Sequence, residues 1–300
     1  MTLSANGRGA ALMTSAMAAW TVSDACMKSL GGALPLGQAL LLRGVVVTAM
    51  LVAYGLARGQ LVAPSRPDRG WLALRTAAEI AAAWTFVSAL FHMPLANATA
   101  ILQALSLVMV FAGALMGERV GPRRWTAVGA GFAGMLLIVR PGTEGFDHYS
   151  LYALGTVLAV TVRDLATRRI SQGLPSPTIG VAAAGGVTAF AALLSLGEDF
   201  APLGAASGAA LAGASLATMV AYLVVIAALR SGDVSFTAPF RYTSLLWALA
   251  LGWLVFGDWP SGLTLLGAAI VAGAGAYTLR REAARAPRKA MAGVRGLRQR

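Results

Sequence analysis

Eight ionisable side chains lie inside long stretches of this sequence in which most neighbouring residues are hydrophobic. A charged group within a membrane is costly unless it is paired or hydrated, so each one is a candidate for a functional role. Such groups can bind charged substrates, exchange protons or close a pathway. The eight residues are Asp24, Lys28, Arg43, Arg75, Glu79, Arg163, Asp164 and Arg241.

Two acid–base pairs share one spacing in distant parts of the chain. Asp24 precedes Lys28 by four residues, and Asp164 precedes Arg168 by four. This spacing places both partners on one face of a helix. They act either as gates at opposite ends of a pathway or only to neutralise each other, and Arg43 is expected to pair with Asp24. The candidates for gating or proton coupling are Asp24, Lys28, Arg43, Glu79, Arg163 and Asp164.

Glu79 lies near the middle of its apolar stretch, with Arg75 one helical turn before it. A poorly hydrated cavity favours the protonated form of a carboxyl, which allows proton exchange near neutral pH. Glu79 is therefore the first candidate for proton coupling. The structural alternative is a permanent salt bridge between Glu79 and Arg75.

A polar and aromatic segment, residues 234–244, opens the ninth apolar stretch. Pro239 removes a backbone hydrogen bond and is expected to kink the helix beside a cavity. A membrane-buried Arg241 needs an anion, which a substrate carboxylate would supply; a fixed acid such as Glu79 is the alternative. The aromatic residues next to Arg241 either stack on a substrate or serve only in packing between helices. The candidate substrate-binding residues are Trp20, Trp84, Gln103, Phe240, Arg241, Tyr242 and Trp247.

The composition argues against several classes of function. Charged residues make up 12% of the chain and hydrophobic residues 57%, whereas a soluble domain is roughly 25% charged. The single cysteine, Cys26, excludes an intrachain disulfide, and His92 and His148 are too far apart for a zinc motif. No segment resembles a Walker loop, a dinucleotide fingerprint or a nucleophile elbow. We therefore expect no enzyme activity, no cofactor and no metal site.

Ten apolar stretches are long enough to cross a hydrocarbon core of about 30 Å as helices. Proline, glycine and charged residues separate them. This pattern predicts an all-α integral membrane protein with ten transmembrane helices. The predicted spans are 10–30, 36–57, 70–91, 94–116, 123–139, 150–171, 176–197, 207–229, 234–256 and 261–280.

Sequence features recur at an offset of 140 residues, since Thr21-Val22-Ser23-Asp24 returns as Thr161-Val162-Arg163-Asp164 and Gly117-Glu118 as Gly257-Asp258. Each copy contains five predicted spans, and an odd number inverts the second copy in the membrane. Inverted repeats are typical of secondary transporters, with the substrate site near the midplane between the halves. The predicted organisation is a cytoplasmic N-terminus at 1–9, five-helix repeats at 10–142 and 143–280, and a basic cytoplasmic tail at 281–300.

The basic residues are distributed asymmetrically between the predicted loops. With the N-terminus inside, the opposite face holds Arg140 alone, together with acids such as Glu144 and Glu198. The positive-inside rule therefore places both termini in the cytoplasm. This distribution explains the net charge of +12 without nucleic acid as a partner, and the basic tail is expected to touch anionic lipid.

Several local patterns resemble the EamA-type family of the drug/metabolite transporter superfamily. That family's Trp-Gly…Lys, Pro…Arg, small-residue and Gly-Glu-Arg…Gly patterns have counterparts here in the same order, over about residues 10–280. Threonine stands where the first pattern usually has glycine. The matching residues are Trp20, Thr21, Lys28, Pro35, Arg43, Leu95-Ala96-Asn97-Ala98, Gly117-Glu118-Arg119 and Gly129.

The resemblance implies a transporter of small metabolites in a bacterial cytoplasmic (inner) membrane, often an amino-acid exporter. We therefore expect proton-coupled export of amino acids or similar zwitterions by alternating access. Uptake of a nucleoside-like or vitamin-like metabolite is the alternative, and an integral-membrane lipid-modifying enzyme is a distant one. The expected partners are a small-molecule substrate and the lipid bilayer, and a homodimer remains open.

The predicted topology is testable with reporter fusions. Fusions after Pro141 and Leu203 should report the outside, and fusions after Pro67 and Gln172 the inside, because the charge asymmetry fixes the orientation. Alkaline phosphatase and green fluorescent protein activities measured in parallel distinguish the two sides. A reversed signal at any one of these loops contradicts the topology.

Overall fold

The structure of the protein is a computed structural model. It describes residues 5–115, 121–139, 148–231 and 238–257, then 259, 261–263, 265–270, 273, 274 and 277. The predicted basic tail at 281–300, the pair Gly117-Glu118 and residues 234–237 of the predicted ninth span lie outside these residues.

The described residues form helices and contain no β-strand, which confirms the all-α prediction. In the first half the helices are α1 (Ala5–Lys28), α2 (Leu36–Ala57), α3 (Arg66–His92), α4 (Leu95–Leu102) and α5 (Ala104–Leu115). α6 (Pro122–Val139) completes the first half, and in the second half the helices are α7 (His148–Arg169), α8 (Ser176–Leu194), α9 (Ala205–Arg230) and α10 (Thr243–Phe256). Short 3-10 turns, Ser195–Gly197 and Ala238–Tyr242, follow α8 and precede α10. Helical residues occur again between 262 and 277.

In the described part of the chain, four helices are long and apolar enough to cross a membrane: α2, α3, α8 with its following turn, and α9. They contain 22 to 27 residues and have mean hydropathies of 1.2 to 2.1. At a rise of about 1.5 Å per residue they exceed a hydrocarbon core of about 30 Å. The protein is therefore an integral membrane protein that crosses the bilayer several times.

Two predicted spans are not continuous α-helices. The predicted span 94–116 is divided at Gln103, where α4 ends and α5 begins. The predicted kink near Pro239 is a 3-10 turn, Ala238–Tyr242, that leads into α10. Proline has no N–H for the α-helical ladder, which favours the tighter turn at that point. α10 ends at Gly257, whose φ of 71° provides the left-handed residue that commonly closes a helix.

The helices pack in pairs that combine the two halves of the chain. α1 lies along α9, α3 along α7, α2 along α8, and α4 against α10. At the offset of 140 residues, α1 corresponds to α7, α2 to α8 and α3 to α9. Exchanging the two halves therefore gives the pairs among these six helices again. Thr48 of α2 and Thr188 of α8 share a hydrogen bond of 3.1 Å and are 140 residues apart.

At one end of the bundle, a loop of the second half binds the start of α2. The Glu198 carboxylate accepts the backbone N–H groups of Gly37 and Gln38 at 2.8 and 2.9 Å. The Gln38 side chain exchanges two hydrogen bonds with the backbone of Ala201. A carboxylate at a helix N-terminus satisfies free N–H groups and the helix dipole. Gly37 permits the approach, because a Cβ there would lie 2.6 Å from the carboxylate.

A second set of hydrogen bonds connects α3, α9 and the loop after α7. Asp68 accepts the backbone N–H and the hydroxyl of Ser171 at 2.8 and 2.7 Å. Arg230, at the end of α9, donates to the backbone carbonyls of Leu174 and Ser171. These contacts fix the ends of the helices that surround the centre of the molecule.

Candidate functional site

A cavity with about 880 Å³ of empty space, including its mouth, lies among α1, α3, α4, α7, α9 and the turn before α10. Both halves of the chain contribute walls. Charged, hydroxyl, amide and aromatic groups occur beside aliphatic side chains, so the cavity offers both hydrogen bonding and stacking.

One wall is polar and lies where the helices are interrupted. Gln103, at the break between α4 and α5, donates to the Ser244 hydroxyl at 2.7 Å. The Ser244 hydroxyl in turn donates to the backbone carbonyl of Arg241 at 2.8 Å. Both side chains line the cavity. The interruptions therefore place polar groups next to the cavity and connect the two halves there.

The aromatic part of the cavity comes from three helices. Trp20 of α1 and Tyr222 of α9 meet edge to face, with ring centroids 5.3 Å apart. Phe86 of α3 lines the cavity with them. Edge-to-face contact fixes the orientation of both rings, which leaves a defined aromatic surface for a planar ligand.

An ion-pair network closes another side of the cavity. Glu79 pairs with Arg75 at 3.5 Å and with Arg163 at 3.3 Å. Arg163 also donates to Asp164 at 2.9 Å, and Asp164 accepts a further hydrogen bond from Arg241. All five residues are at most 7% exposed. The network joins α3, α7 and the turn before α10.

Arg43 and Asp24 differ from this network although they line the same cavity. Among the described residues, neither side chain forms an ion pair within 4.0 Å or a hydrogen bond. The predicted Arg43–Asp24 ion pair is therefore wrong for this structure. The two remain within electrostatic reach of each other. A guanidinium and a carboxylate thus face the cavity with no ion-pair or hydrogen-bond partner in the described part of the chain.

The structure brings together most of the residues predicted from the sequence. Among the predicted gating or coupling residues, Asp24, Arg43, Glu79 and Arg163 line the cavity, and Asp164 lies fully buried behind Arg163 and Arg241. Among the predicted substrate-binding residues, Trp20, Gln103 and Arg241 line it.

Four predicted substrate-binding residues lie outside the cavity lining. Trp84 is 38% exposed and packs against Tyr152 and Phe190. Trp247 is 43% exposed. Phe240 packs against the core between α1 and α9, and Tyr242 is buried with its ring beside Gly131 of α6. Of the five predicted aromatic residues only Trp20 lines the cavity, since the sequence does not fix the direction in which a side chain points.

The two acid–base pairs spaced by four residues also differ from expectation. Asp164 binds Arg163 and Arg241. Lys28 donates to the backbone carbonyl of Met93 at 2.9 Å and lies over the ring of Phe256. Glu79 and Arg75 form the salt bridge that was the structural alternative for Glu79. The partners of Asp164 and Lys28 are thus groups other than the residue four positions away in their own helix.

Tyr222 is a lining residue that the sequence did not single out. In the sequence it is visible only as an aromatic residue with a hydroxyl group inside the predicted eighth span. That signal does not distinguish it from a packing residue. Its position became clear only through the close packing of α9 against α1.

Residues 7–140 match the family model described as the EamA-like transporter family. A riboflavin transporter of Vibrio cholerae is 30% identical over 67% of this chain and 68% of its own length. The chain belongs to the EamA-like transporter family. The family lies within the drug/metabolite transporter superfamily, which agrees with the resemblance noted from the sequence.

Other members of this family are similar to the chain over different lengths. A riboflavin transporter of Rhizobium johnstonii is 34% identical, and the alignment spans 62% of this chain and 64% of that protein. A pseudopaline exporter of Pseudomonas aeruginosa is 24% identical over 88% of this chain and 93% of its length. Import-type relatives also occur: an S-adenosylmethionine uptake transporter of Rickettsia felis is 24% identical over 63% of each chain.

A solved crystal structure has the same fold as this EamA-like protein. The TM-score is 0.72 at 22% identity, and the alignment covers 89% of this chain and 95% of that one. At this identity the likeness concerns the fold alone.

The role of Arg241 can be tested by its effect on stability. Arg241→Gln should lower the free energy of unfolding by about 3 kcal/mol, because Asp164 loses one partner of a buried ion pair. Thermal and denaturant unfolding in detergent measure this change. Arg58→Gln, at the exposed residue that follows α2, is the control and should leave stability nearly unchanged.

Combining Arg241→Gln with Asp164→Asn should recover part of the lost stability, since both buried charges are then removed. If Arg241→Gln is as stable as the control but binds substrate poorly, Arg241 is a binding residue, as the sequence suggested.

Proposed function

We propose that this protein is a secondary transporter that carries a small metabolite across the bacterial cytoplasmic membrane by alternating access. The observation that carries the proposal is the cavity of about 880 Å³, built by both halves and lined by charged residues in a membrane protein of a transporter family. Charged groups are retained in membranes chiefly where they serve a substrate or ion pathway. The same membership favours a carrier over a lipid-modifying enzyme.

The proposed architecture is ten transmembrane helices in two inverted repeats, at residues 10–142 and 143–280, with both termini in the cytoplasm. Support comes from the helix pairs, which are reproduced when the halves are exchanged, and from the Thr48–Thr188 contact at the repeat offset. Alternating access then follows from rocking one half against the other about the cavity.

Riboflavin is the first candidate substrate. The relatives named as riboflavin transporters are 34% and 30% identical to this chain. The flavin ring is planar, and the Trp20–Tyr222 surface offers an aromatic wall for it. Uptake of a vitamin, the alternative in the sequence analysis, is thereby preferred to amino-acid export.

Export of amino acids or similar zwitterions is the second candidate. One observation favours it: Asp24 and Arg43 face the cavity with opposite charges and no protein partners among the described residues. A zwitterion would satisfy both groups. The pseudopaline exporter shows that export occurs among relatives of this chain.

Substrate choice can be tested in bacteria that can neither make nor import riboflavin. Cells producing the protein should accumulate labelled riboflavin, and cells with the empty vector should not. Trp20→Ala should reduce apparent affinity roughly fivefold or more, since stacking on an aromatic side chain is worth about 1–3 kcal/mol. Trp84→Ala, outside the cavity lining, is the matched control and should transport normally.

Proteoliposomes loaded with labelled amino acids test the second candidate in parallel. Efflux of an amino acid without riboflavin uptake would replace the first candidate by the second. Transport of neither compound would contradict both.

Proton coupling is better assigned to Asp24 than to Glu79. Glu79 is held by two arginines, whereas Asp24 has no cation within ion-pairing distance among the described residues. A carboxyl that binds and releases a proton must be free to do so during transport. This revises the sequence-based preference for Glu79.

At saturating substrate, Asp24→Asn should remove the response of transport to an imposed pH gradient and leave the protein folded. Asparagine keeps the size and hydrogen bonding of the side chain but cannot exchange a proton. Transport by proteoliposomes with and without a pH gradient measures the effect. Unchanged coupling in Asp24→Asn would exclude Asp24 as the proton carrier.

A further inference from the structure

We propose that Arg43 and Asp24 together bind the polar edge of the substrate. Arg43 donates to neighbouring acceptor oxygens of the substrate, and Asp24 accepts a hydrogen bond from an adjacent N–H donor. The ligand chemistry is therefore acceptor oxygens next to an N–H group, as in the imide edge of a flavin or the carboxylate and ammonium of an amino acid. This assignment rests on the proposed transport function and deepens it.

Arg43 reaches the cavity in an unusual way. It is the one residue of α2, a helix that is described throughout, that lines the cavity. The helix itself packs against α8 and α9, so the long side chain extends from behind the lining helices. The residue is 7% exposed. Its guanidinium has therefore left bulk water without gaining an acid or an acceptor among the described residues.

The other arginines at the cavity are already occupied. Arg75 pairs with Glu79, Arg163 pairs with both Glu79 and Asp164, and Arg241 pairs with Asp164. A buried arginine with unmet donors is costly, whereas a bidentate contact with two acceptor oxygens fits its planar fork. Arg43 therefore takes the role that the sequence had suggested for Arg241.

Asp24 is placed to bind the donor beside those acceptors. It follows Trp20 by four residues in α1, so the carboxylate and the indole share one helix face. Both residues line the cavity. A planar substrate stacked on Trp20 can thus direct its polar edge at Asp24 and, across the cavity, at Arg43.

The charge balance agrees with acceptor oxygens as the ligand. The lining residues and their ion-pair partners include three acids, Asp24, Glu79 and Asp164, and four arginines. With all of them ionised, one positive charge is not balanced within this group. Oxygen atoms with partial or full negative charge are the complement of that excess.

Binding to the purified protein in detergent tests the assignment, with riboflavin followed by its own fluorescence and amino acids by calorimetry. Arg43→Gln should weaken binding about 10- to 150-fold, the effect of losing a hydrogen bond to a charged group. Arg43→Lys should also weaken it, because a point charge replaces the planar fork. Arg58→Gln, at the exposed residue that follows α2, should bind as the unchanged protein does.

Two substrate analogues test Asp24 and Arg43 without altering the protein. Riboflavin methylated at its imide nitrogen lacks the donor and should bind at least about tenfold more weakly than riboflavin. If the substrate is an amino acid instead, its methyl ester should bind more weakly, because the carboxylate for Arg43 is lost. These measurements remain informative if the Arg43 variants do not fold.

Wild-type affinity in folded Arg43→Gln and Arg43→Lys would overturn the assignment while leaving transport intact. Equal affinity of the analogue and its parent compound would overturn it as well. If the unchanged protein binds neither riboflavin nor any amino acid, the proposed function fails and the assignment fails with it.

Discussion

The cost of burying charge is the constraint on which the centre of this structure depends. Glu79 and Asp164 are at most 3% exposed, and isolated carboxylates at that depth would be strongly unfavourable. Three arginines, from α3, α7 and the turn before α10, surround them. Removing one of these arginines would take an ion-pair partner from a buried carboxylate, so the helices that carry these residues must keep their positions relative to one another. The network thereby fixes one wall of the cavity.

The interrupted helices are a second consequence of placing polar groups in an apolar bundle. A break at Gln103 and a 3-10 turn at Ala238–Tyr242 come together at the hydrogen bond between Gln103 and Ser244. Backbone that leaves the α-helical ladder inside a membrane must be buried in protein or line a cavity. Here it does the latter, so the same feature that interrupts the helices gives the cavity its polar wall.

The two halves of the chain use equivalent positions differently. Asp164 is enclosed by two arginines, whereas its counterpart Asp24, 140 residues earlier, faces the cavity without an ion-pair partner among the described residues. For the alternating access proposed above, equivalent positions would have to exchange environments between the two states. The two aspartates therefore differ in their surroundings. The side of the cavity near Asp164 is held by ion pairs, and the side near Asp24 is available to a ligand.

The sequence by itself determined the membrane setting, the helices and the set of buried polar residues. The predicted span 36–57 is α2, Leu36–Ala57, because apolar length and flanking proline and charge act locally. Family membership was also visible in motifs along the chain. Only the tertiary structure decided the partners: Arg241 bound Asp164 across 77 residues, and Arg43 has no partner among the residues that the structure describes. The physical reason is that partner choice depends on how each helix is rotated about its axis and which helix lies opposite. Each residue advances about 100° around a helix of 3.6 residues per turn, so depth and composition fix neither quantity.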